Sequence, residues 1–345
     1  MMIEVDGACG EGGGQITRTA VGLSAYTGNP IRLFNIRANR PKPGLSFQHL
    51  EGIRAVASMC SAELKGDSMG SEEIEFSPGK ISNNRVDVRI GTAGSTGLIF
   101  QSLQLPACHS NGDVSIEING GATFGKYAPP LLYIKHVLLP TLSRMGFHAD
   151  IAIEKHGFYP VGGARVSIKV RKSNGFNPIL LDKPGKVTSI KGISVATKEL
   201  EKPRVAERQE SSFRKNLAPL GLKIGMDSHY VEADCPGSGM VAWAETDTGC
   251  ILGTDGLGER GKPAETVGKE AADKLMKTIQ SGATVDERLA DQLLLFMALA
   301  KGESRIISPR FTCHCNSNIF VIQKFLPVKS RTEKSGDNAL ITISP

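Results

Sequence analysis

Two short stretches, one near each end of the chain, hold residue types that can do chemistry together. Thr312-Cys313-His314-Cys315-Asn316-Ser317-Asn318-Ile319 places one imidazole where a predicted strand region gives way to a helix, among small polar residues. A histidine held there can act as a nucleophile towards phosphorus when polyphosphate is bound beside it. Asp6-Gly7-Ala8-Cys9-Gly10-Glu11-Gly12-Gly13-Gly14-Gln15 follows a predicted strand and opens a predicted helix, so its backbone N–H groups and the helix dipole can hold phosphate oxygens. The run lacks the Gly-Lys-Ser/Thr ending of a P-loop and does not match the dinucleotide fingerprint; a tight turn with closely packed backbones is the plainer reading. Glu11, a carboxylate in an otherwise side-chain-free loop, is well set to orient a divalent cation on a triphosphate, or simply to complement the helix dipole. Together the two stretches suggest nucleotidyl chemistry.

Arg18, Arg37, Arg40 and Lys42 are concentrated near those glycines, and guanidinium groups match phosphate oxygens bidentately. A solvated basic surface is the competing explanation. Pro41 and Pro43 stiffen the segment that carries Arg37 and Arg40, which would hold them at the entrance of the following helix. The other six histidines have ordinary explanations: His49 and His136 fall within predicted helices, and His109, His148, His156 and His229 fall in or near loops and strand ends. Cys313 and Cys315 flank His314, but zinc clusters usually space paired cysteines more widely and need a second pair. In an extended segment alternation would put both thiols on one side and His314 on the other, so no metal site is expected there.

The elements that must position these residues recur in order. A strand at 3–6, the glycines, a helix near 15–27, a strand at 31–36 and a helix after Pro43 with Leu50, Ile53, Val56 and Cys60 on one face make a first unit. A strand at 86–90, a loop at Gly91-Thr92-Ala93-Gly94, a helix near 98–105, a strand at 114–118, a helix after Pro129-Pro130 and an alternating strand at 148–153 make a second. Equivalent strands lie about 80 residues apart, longer than solenoid repeats, which suggests a duplicated compact unit. A third opens at Thr284, where Thr284 and Glu287 match a capping box and Leu289, Leu293, Phe296, Met297 and Ala300 form an apolar stripe. It continues with a strand at 304–307, a helix after His314 and a terminal strand at 339–343. Residues 182–280 break the pattern with strands at 187–196, 230–233 and 240–246 and helices at 203–216 and 264–280, and are read as an inserted α/β domain. The expected class is α/β (α+β), with three repeated units in 1–181 and 281–345 and a smaller α/β insertion at 182–280.

Composition sets bounds. At 345 residues and 40% apolar content the chain can build real cores, and its +6 charge fits an anionic partner without establishing one. No basic n-region precedes an apolar run at the N-terminus, and no apolar stretch approaches the roughly 18 residues needed to cross a bilayer. Seven scattered cysteines without a secretion signal are expected to be reduced thiols, so the chain reads as cytoplasmic with no membrane partner.

Read together, the Asp6–Gln15 run, Ile36-Arg37-Ala38-Asn39-Arg40-Pro41-Lys42-Pro43-Gly44-Leu45 with Gln48-His49-Leu50, His156-Gly157-Phe158-Tyr159-Pro160 with Gly162-Gly163, Leu289-Ala290-Asp291-Gln292-Leu293, and Cys313-His314 to Asn318-Ile319 closely resemble the RNA 3′-terminal phosphate cyclase family, in its order and spacing over nearly the whole chain. The resemblance implies a fold of three repeats of a two-helix, four-stranded unit with a smaller inserted α/β domain, and ATP-dependent conversion of an RNA 3′-phosphate to a 2′,3′-cyclic phosphate with Mg2+ or Mn2+. It implies His314 as the nucleophile that takes AMP from ATP, and Glu11 as a ligand of metal and triphosphate. Gln15, Arg18, Arg37, Arg40 and Gln48 would hold the RNA terminal phosphate or ATP phosphates, and Gln101, Pro129, Asp291 and Gln292 would line the nucleotide pocket. The family can stack adenine on an aromatic side chain three residues before the aspartate; here Arg288 stands in that place, and arginine also stacks on bases. The expected partners are ATP and RNA with a 3′-terminal phosphate, and dimerisation is left open. A non-catalytic ribosome-assembly relative would need no nucleophile, an enolpyruvyl transferase would need two comparable large domains, and RNA binding without turnover is poorly served by one Trp and five Tyr.

Overall fold

Strand alternation and helix-period stripes build four mixed sheets with helices packed on them. The computed structural model describes residues 2–345. β1 (Ile3–Asp6) runs through the glycines into α1 (Gly14–Thr27), and β2 (Ile31–Phe34), α2 (Phe47–Cys60), β3 (Glu63–Lys65) and β4 (Ile74–Ser77) follow. The strand order is β1-β2-β4-β3, with β1 and β2 parallel and the other pairs antiparallel. Leu50, Ile53, Val56 and Cys60 on α2 are all buried, as their spacing predicts.

β5 (Arg85–Ser95), α3 (Thr96–Cys108), β6 (Val114–Ala122), a helical stretch, β7 (Ala149–Lys155) and β8 (Arg165–Val170) come next, in the order β5-β6-β8-β7 with the same pairing senses. The helical stretch consists of α4 (Leu131–Tyr133), a π-helical segment (Ile134–Leu138) and α5 (Leu139–Ser143). Gly91–Gly94, expected as a loop, continues β5, with its register against β6 broken between Ile90 and Ser95. The Ser95 hydroxyl then caps α3 by accepting from the Leu98 N–H at 3.3 Å.

After the two-residue β9 (Leu180–Leu181), the segment β10 (Val187–Thr197), α6 (Val205–Leu217), β11 (Ile224–Val231), β12 (Ser238–Thr246), β13 (Ile251–Leu257) and α7 (Ala264–Ser281) forms a sheet ordered β11-β10-β12-β13. Its helices cover one face in a separate apolar cluster that includes Ile190, Phe213, Met240, Leu252, Val267 and Leu275, whereas Val195, Val241 and Trp243 turn the other way into the main core. α8 (Glu287–Leu299), β14 (Ser304–Ser308), α9 (Cys313–Phe325), β15 (Lys329–Ser335) and β16 (Asn338–Ser344) complete the chain. β9 pairs in parallel with β14, so a strand from before residue 187 completes the C-terminal sheet. Neither β9 nor β15 was expected from the sequence. No described helix is long and apolar enough to cross a membrane.

The cap of α8 is Asp286, not Thr284. The Asp286 carboxylate accepts from the Arg288 and Leu289 N–H groups, from the Gly253 N–H of β13 at 2.8 Å, and from the Tyr133 hydroxyl of α4 at 2.7 Å. One buried carboxylate thus joins three segments, and burial holds its pKa above the usual aspartate value despite these bonds. Thr284 is buried instead, its hydroxyl donating to the Leu181 carbonyl at 2.6 Å.

His49 and His156 are buried, and burial, aided by Arg18 and Arg37 beside His49 and by His229 near His156, pushes their imidazoles down to about 3 and about 4. Both are neutral in the fold at pH values where unfolded chains, titrating near 6.5, take up protons. Their contribution to stability is complete above about pH 6.5 and is lost as pH falls towards 4. The urea midpoint of the native chain should drop across that window, and His156→Asn should show a shallower drop. Identical slopes for the two proteins would contradict the assignment.

Candidate active site

The first turns of α9 are fixed before His314 is placed. Thr312 caps the helix by accepting from the Cys315 N–H at 3.0 Å, and its hydroxyl donates to Asp291 Oδ1 at 2.5 Å. The Cys315 thiol donates to the same oxygen at 3.0 Å, and Asn318 Nδ2 donates to the Asp291 carbonyl at 2.7 Å. Asp291 therefore anchors the start of α9, and His314 is the second residue of that helix. Burial raises the Asp291 carboxyl, and burial together with the Asp291 charge pushes the Cys315 thiol up to about 12, so Cys315 stays protonated. Because the segment is helical and not extended, Cys313 is exposed and Cys315 buried. Among the described residues no group of three or more His, Cys, Asp or Glu side chains could hold a metal ion.

Glu11 is where the ends of the chain meet. One carboxylate oxygen lies 2.6 Å from His314 Nδ1, and the other is paired with the Arg40 guanidinium. The loop that carries Glu11 is pinned from three sides. The Ser317 hydroxyl of α9 accepts from the Glu11 N–H at 3.3 Å, and Asn39 Nδ2 donates to the Ala8 carbonyl at 3.0 Å. His49 Nε2 lies where a Cβ on Gly14 would be, only 1.9 Å from it. Gly10 and Gly12 have φ of 60° and 58°, the left-handed region that glycine enters without strain. The glycines are thus accounted for by close packing, and they leave the carboxylate as the one side chain with more than a short stem on the loop between Cys9 and Gln15.

Behind this pair lies a surplus of positive charge. Arg18 is half-buried and has no ion-pair partner among the described residues, and burial lowers its pKa to about 10. Arg37, half-buried and with positive φ, donates to the Gly44 carbonyl at 2.7 Å; burial first, then the charge of Arg40, lowers its pKa. Both guanidiniums bear on His49, whose Nδ1 is 2.6 Å from the Ser46 hydroxyl. On the same helix, Gln48 Oε1 accepts from the Ser95 N–H at 3.1 Å, tying α2 to the start of α3. Cations left unpaired in a half-buried setting favour an incoming anion, because desolvation without a counter-charge is costly.

A narrow groove between α1, α3, α8 and α9 brings together Gln15, Arg18, Gln101, Asp291 and Gln292. Gln101 Nε2 donates to Gln292 Oε1 at 2.6 Å, and Gln292 donates to the Arg288 carbonyl at 3.0 Å. Pro129 is not part of that lining; its carbonyl packs over the first turn of α3 at Gly97. Arg288 pairs with Asp255 of β13 at 2.9 Å, joining α8 to the segment 187–281. Sequence reasoning missed Thr19, Asn318 and Gln104. The Thr19 hydroxyl bonds Asn318 Oδ1 at 2.9 Å on the groove floor, and Gln104 Nε2, from a 4% exposed side chain, has no partner among the described residues. Gln104 sits three residues after Gln101 on the same face of α3, a spacing that could have drawn notice.

Comparison with known proteins supplies the context. A family model described as RNA 3′-terminal phosphate cyclase matches residues 9–332. A protein named RNA 3′-terminal phosphate cyclase from Methanopyrus kandleri is 42% identical over 100% of this chain and 99% of its own length. Proteins of the same name from Pyrobaculum neutrophilum and Thermococcus kodakarensis are 40% and 44% identical, over 99% and 94% of this chain and 98% and 92% of theirs. A solved structure of the enolpyruvyl transferase NikO from Streptomyces tendae matches 98% of this chain and 47% of that one, at 8% identity and a TM-score of 0.40, a likeness that supports no argument.

Two glycines of α1 should respond oppositely to alanine. In Gly14→Ala the new Cβ meets His49 Nε2, and such overpacking should lower the unfolding free energy by roughly 1–3 kcal/mol. In Gly22→Ala the Cβ meets the Ser102 carbonyl at an ordinary 3.5 Å. Helix propensity should then raise stability by up to about 1 kcal/mol. Chemical denaturation of both variants checks this, and a neutral Gly14→Ala would mean that His49 is not held against the loop.

Proposed function

The chain belongs to the RNA 3′-terminal phosphate cyclase family, and on that premise we propose that it converts an RNA 3′-terminal phosphate to a 2′,3′-cyclic phosphodiester, with ATP as co-substrate and AMP and pyrophosphate as products. The observation that carries the chemistry is the 2.6 Å contact between His314 Nδ1 and Glu11. With Nδ1 donating to a carboxylate, Nε2 keeps its lone pair, and the carboxylate balances the charge that grows on the ring during attack.

In this reading Nε2 attacks the α-phosphorus of ATP; the N–P bond forms as the P–O bond to pyrophosphate breaks. An oxygen of the RNA 3′-phosphate then displaces His314 from the adenylyl phosphorus, giving an adenylylated RNA end. The 2′-hydroxyl attacks the terminal phosphorus, loses its proton, and expels AMP. A phosphate monoester cannot be closed directly, because its charge repels the hydroxyl and oxide is a very poor leaving group; each step here has a good one. Arg18, Arg37, Arg40, Gln15 and Gln48 hold phosphates in the positive region around Glu11, while Gln101, Asp291 and Gln292 line the nucleotide side.

Mg2+ or Mn2+ fits this donor set in one mode. Glu11 is a single carboxylate, and no cluster of three ligand side chains exists among the described residues, so the ion would be carried mainly by triphosphate and water. When bound it neutralises phosphate charge. We read the three sheets whose strands run first-second-fourth-third in chain order, β1-β2-β4-β3, β5-β6-β8-β7 and β9-β14-β16-β15, as copies of a two-helix, four-stranded unit spanning 1–181 and 281–345, with 182–280, whose sheet runs β11-β10-β12-β13, inserted.

Incubation with α-labelled ATP and a divalent ion should give an acid-labile protein–AMP band that His314→Ala lacks while remaining folded. Arg37→Ala should keep the band and slow cyclisation of RNA 3′-phosphate roughly 10- to 150-fold, the loss expected for a charge-assisted hydrogen bond. Labelling that survives in the histidine variant would overturn the nucleophile.

A further inference from the structure

The loop from His156 to Gly163 is rigidly built, yet it displays a large ring to water. His156 is buried with Nδ1 2.8 Å from the Thr123 hydroxyl, and Phe158, 2% exposed, stacks on Phe124 with centroids 5.8 Å apart. The Phe158 carbonyl accepts from the Gly162 N–H at 2.6 Å, closing the turn, and also from the Cys235 thiol at 3.3 Å. Between these anchors Tyr159 is 79% exposed and Val161 52%. A second loop shares the frame. The Thr123 N–H donates to the Gly157 carbonyl at 2.9 Å, and four residues later Tyr127 is 90% exposed, with Lys126 Nζ 5.6 Å from its ring centroid. A lone exposed apolar side chain needs no explanation. Two exposed tyrosines stand on loops that brace one another.

Both loops are linked by packing to the proposed phosphate-binding region. A Cβ on Gly162 would lie 2.8 Å from the Thr92 carbonyl, and one on Gly125 would lie 3.4 Å from Ser95 Cβ, so both loops pack on residues 92–95. Gly94 and Ser95 in turn touch Gln48, one residue before His49 and its two guanidiniums. We propose that Tyr159 and Tyr127 form a stacking surface for unpaired bases of the RNA strand that lead to the 3′-terminal phosphate. The proposal rests on the function argued above. Aromatic faces beside a cationic groove are how single strands are gripped without reading sequence. Tyrosine suits the task because its ring is apolar while its hydroxyl stays hydrated.

The test compares a 3′-phosphorylated single-stranded RNA of about ten nucleotides with a 3′-phosphorylated dinucleotide, on the native chain, Tyr159→Ala, Tyr127→Ala, the double variant and Tyr159→Trp. Thermal unfolding first establishes that the variants fold. Each alanine variant should raise KM and the anisotropy-measured Kd for the longer RNA by about 10-fold, within the range of one lost stack, with kcat, the dinucleotide KM and AMP labelling unchanged. Tyr159→Trp should restore affinity. Equal losses on both RNAs, or no loss on either, would overturn the proposal, as would variants whose only effect is on sedimentation mass, which would make the surface a contact between copies of the chain. A native chain that binds no 3′-phosphorylated RNA would overturn it together with the function beneath it, whereas normal AMP labelling with length-independent RNA affinity would sink the stacking surface alone.

Discussion

The Glu11 carboxylate sits between two cations or potential cations drawn from distant parts of the sequence, Arg40 on one side and His314 on the other. The oxygens take these partners from outside the glycine loop, so the position of Glu11 depends on the docking of both the turn after β2 and the helix α9. The same reasoning applies one layer down. Asp291 holds the cap residue and thiol of α9, and Asp286 holds the cap of α8 together with Tyr133 and Gly253. Three carboxylates act as knots between segments that are far apart in the chain. Removing a partner of the two buried ones would leave a desolvated acceptor, a loss larger than the hydrogen bond itself.

Around these knots the charges are deliberately unbalanced. Burial first, and then the charges of Arg18 and Arg37, keep His49 neutral, and neither arginine has a carboxylate partner among the described residues. The arrangement lowers the stability of the free protein, since half-buried cations without counter-charges lose hydration and gain little. An incoming anion would supply the charge that the fold withholds, in keeping with the phosphate role proposed for these residues. The groove is arranged in the same spirit: Gln101, Gln292, Thr19 and Asn318 bond one another, and the buried Gln104 amide is left over. Positioning of α9 by Asp291 and of the loop by Ser317, Asn39 and His49 means that His314 and Glu11 need little reorganisation when the reaction begins.

Local signals in the sequence were sufficient for the apolar face of α2, the helices α6, α7 and α8, and the placing of His314 at a helix start, because each depends on spacing within one turn or two. Gln15, Arg18, Gln101, Asp291 and Gln292 were picked out by resemblance and do converge on one groove. The strand β8, Arg165 to Val170, alternates and was legible though unnamed, whereas β9 and β15 depend on contacts that no local pattern encodes. β9 is two residues long and exists because Leu181 pairs with Ile306, far along the chain. β15 is a charged edge strand, Lys329 to Ser335, mostly exposed, so it lacks the alternation that marks a half-buried strand. Thr284 and Asp286 are both good caps on type, and the choice between them was made by Tyr133 and Gly253 rather than by the helix. The Cys-His-Cys spacing was read in an extended frame, whereas the cap at Thr312 had already started the helix.

The contact between Glu11 and His314 Nδ1 should set which nitrogen of the ring carries the proton. Nitrogen-15 NMR of the histidine-labelled chain, with His314 assigned through His314→Gln and spectra taken where the ring is neutral, reports which ring nitrogen carries the proton. The account predicts the Nδ1–H form in the native chain, with Nε2 unprotonated, and a shift towards Nε2–H in Glu11→Leu. A native His314 already in the Nε2–H form, or one indifferent to the loss of Glu11, would contradict it.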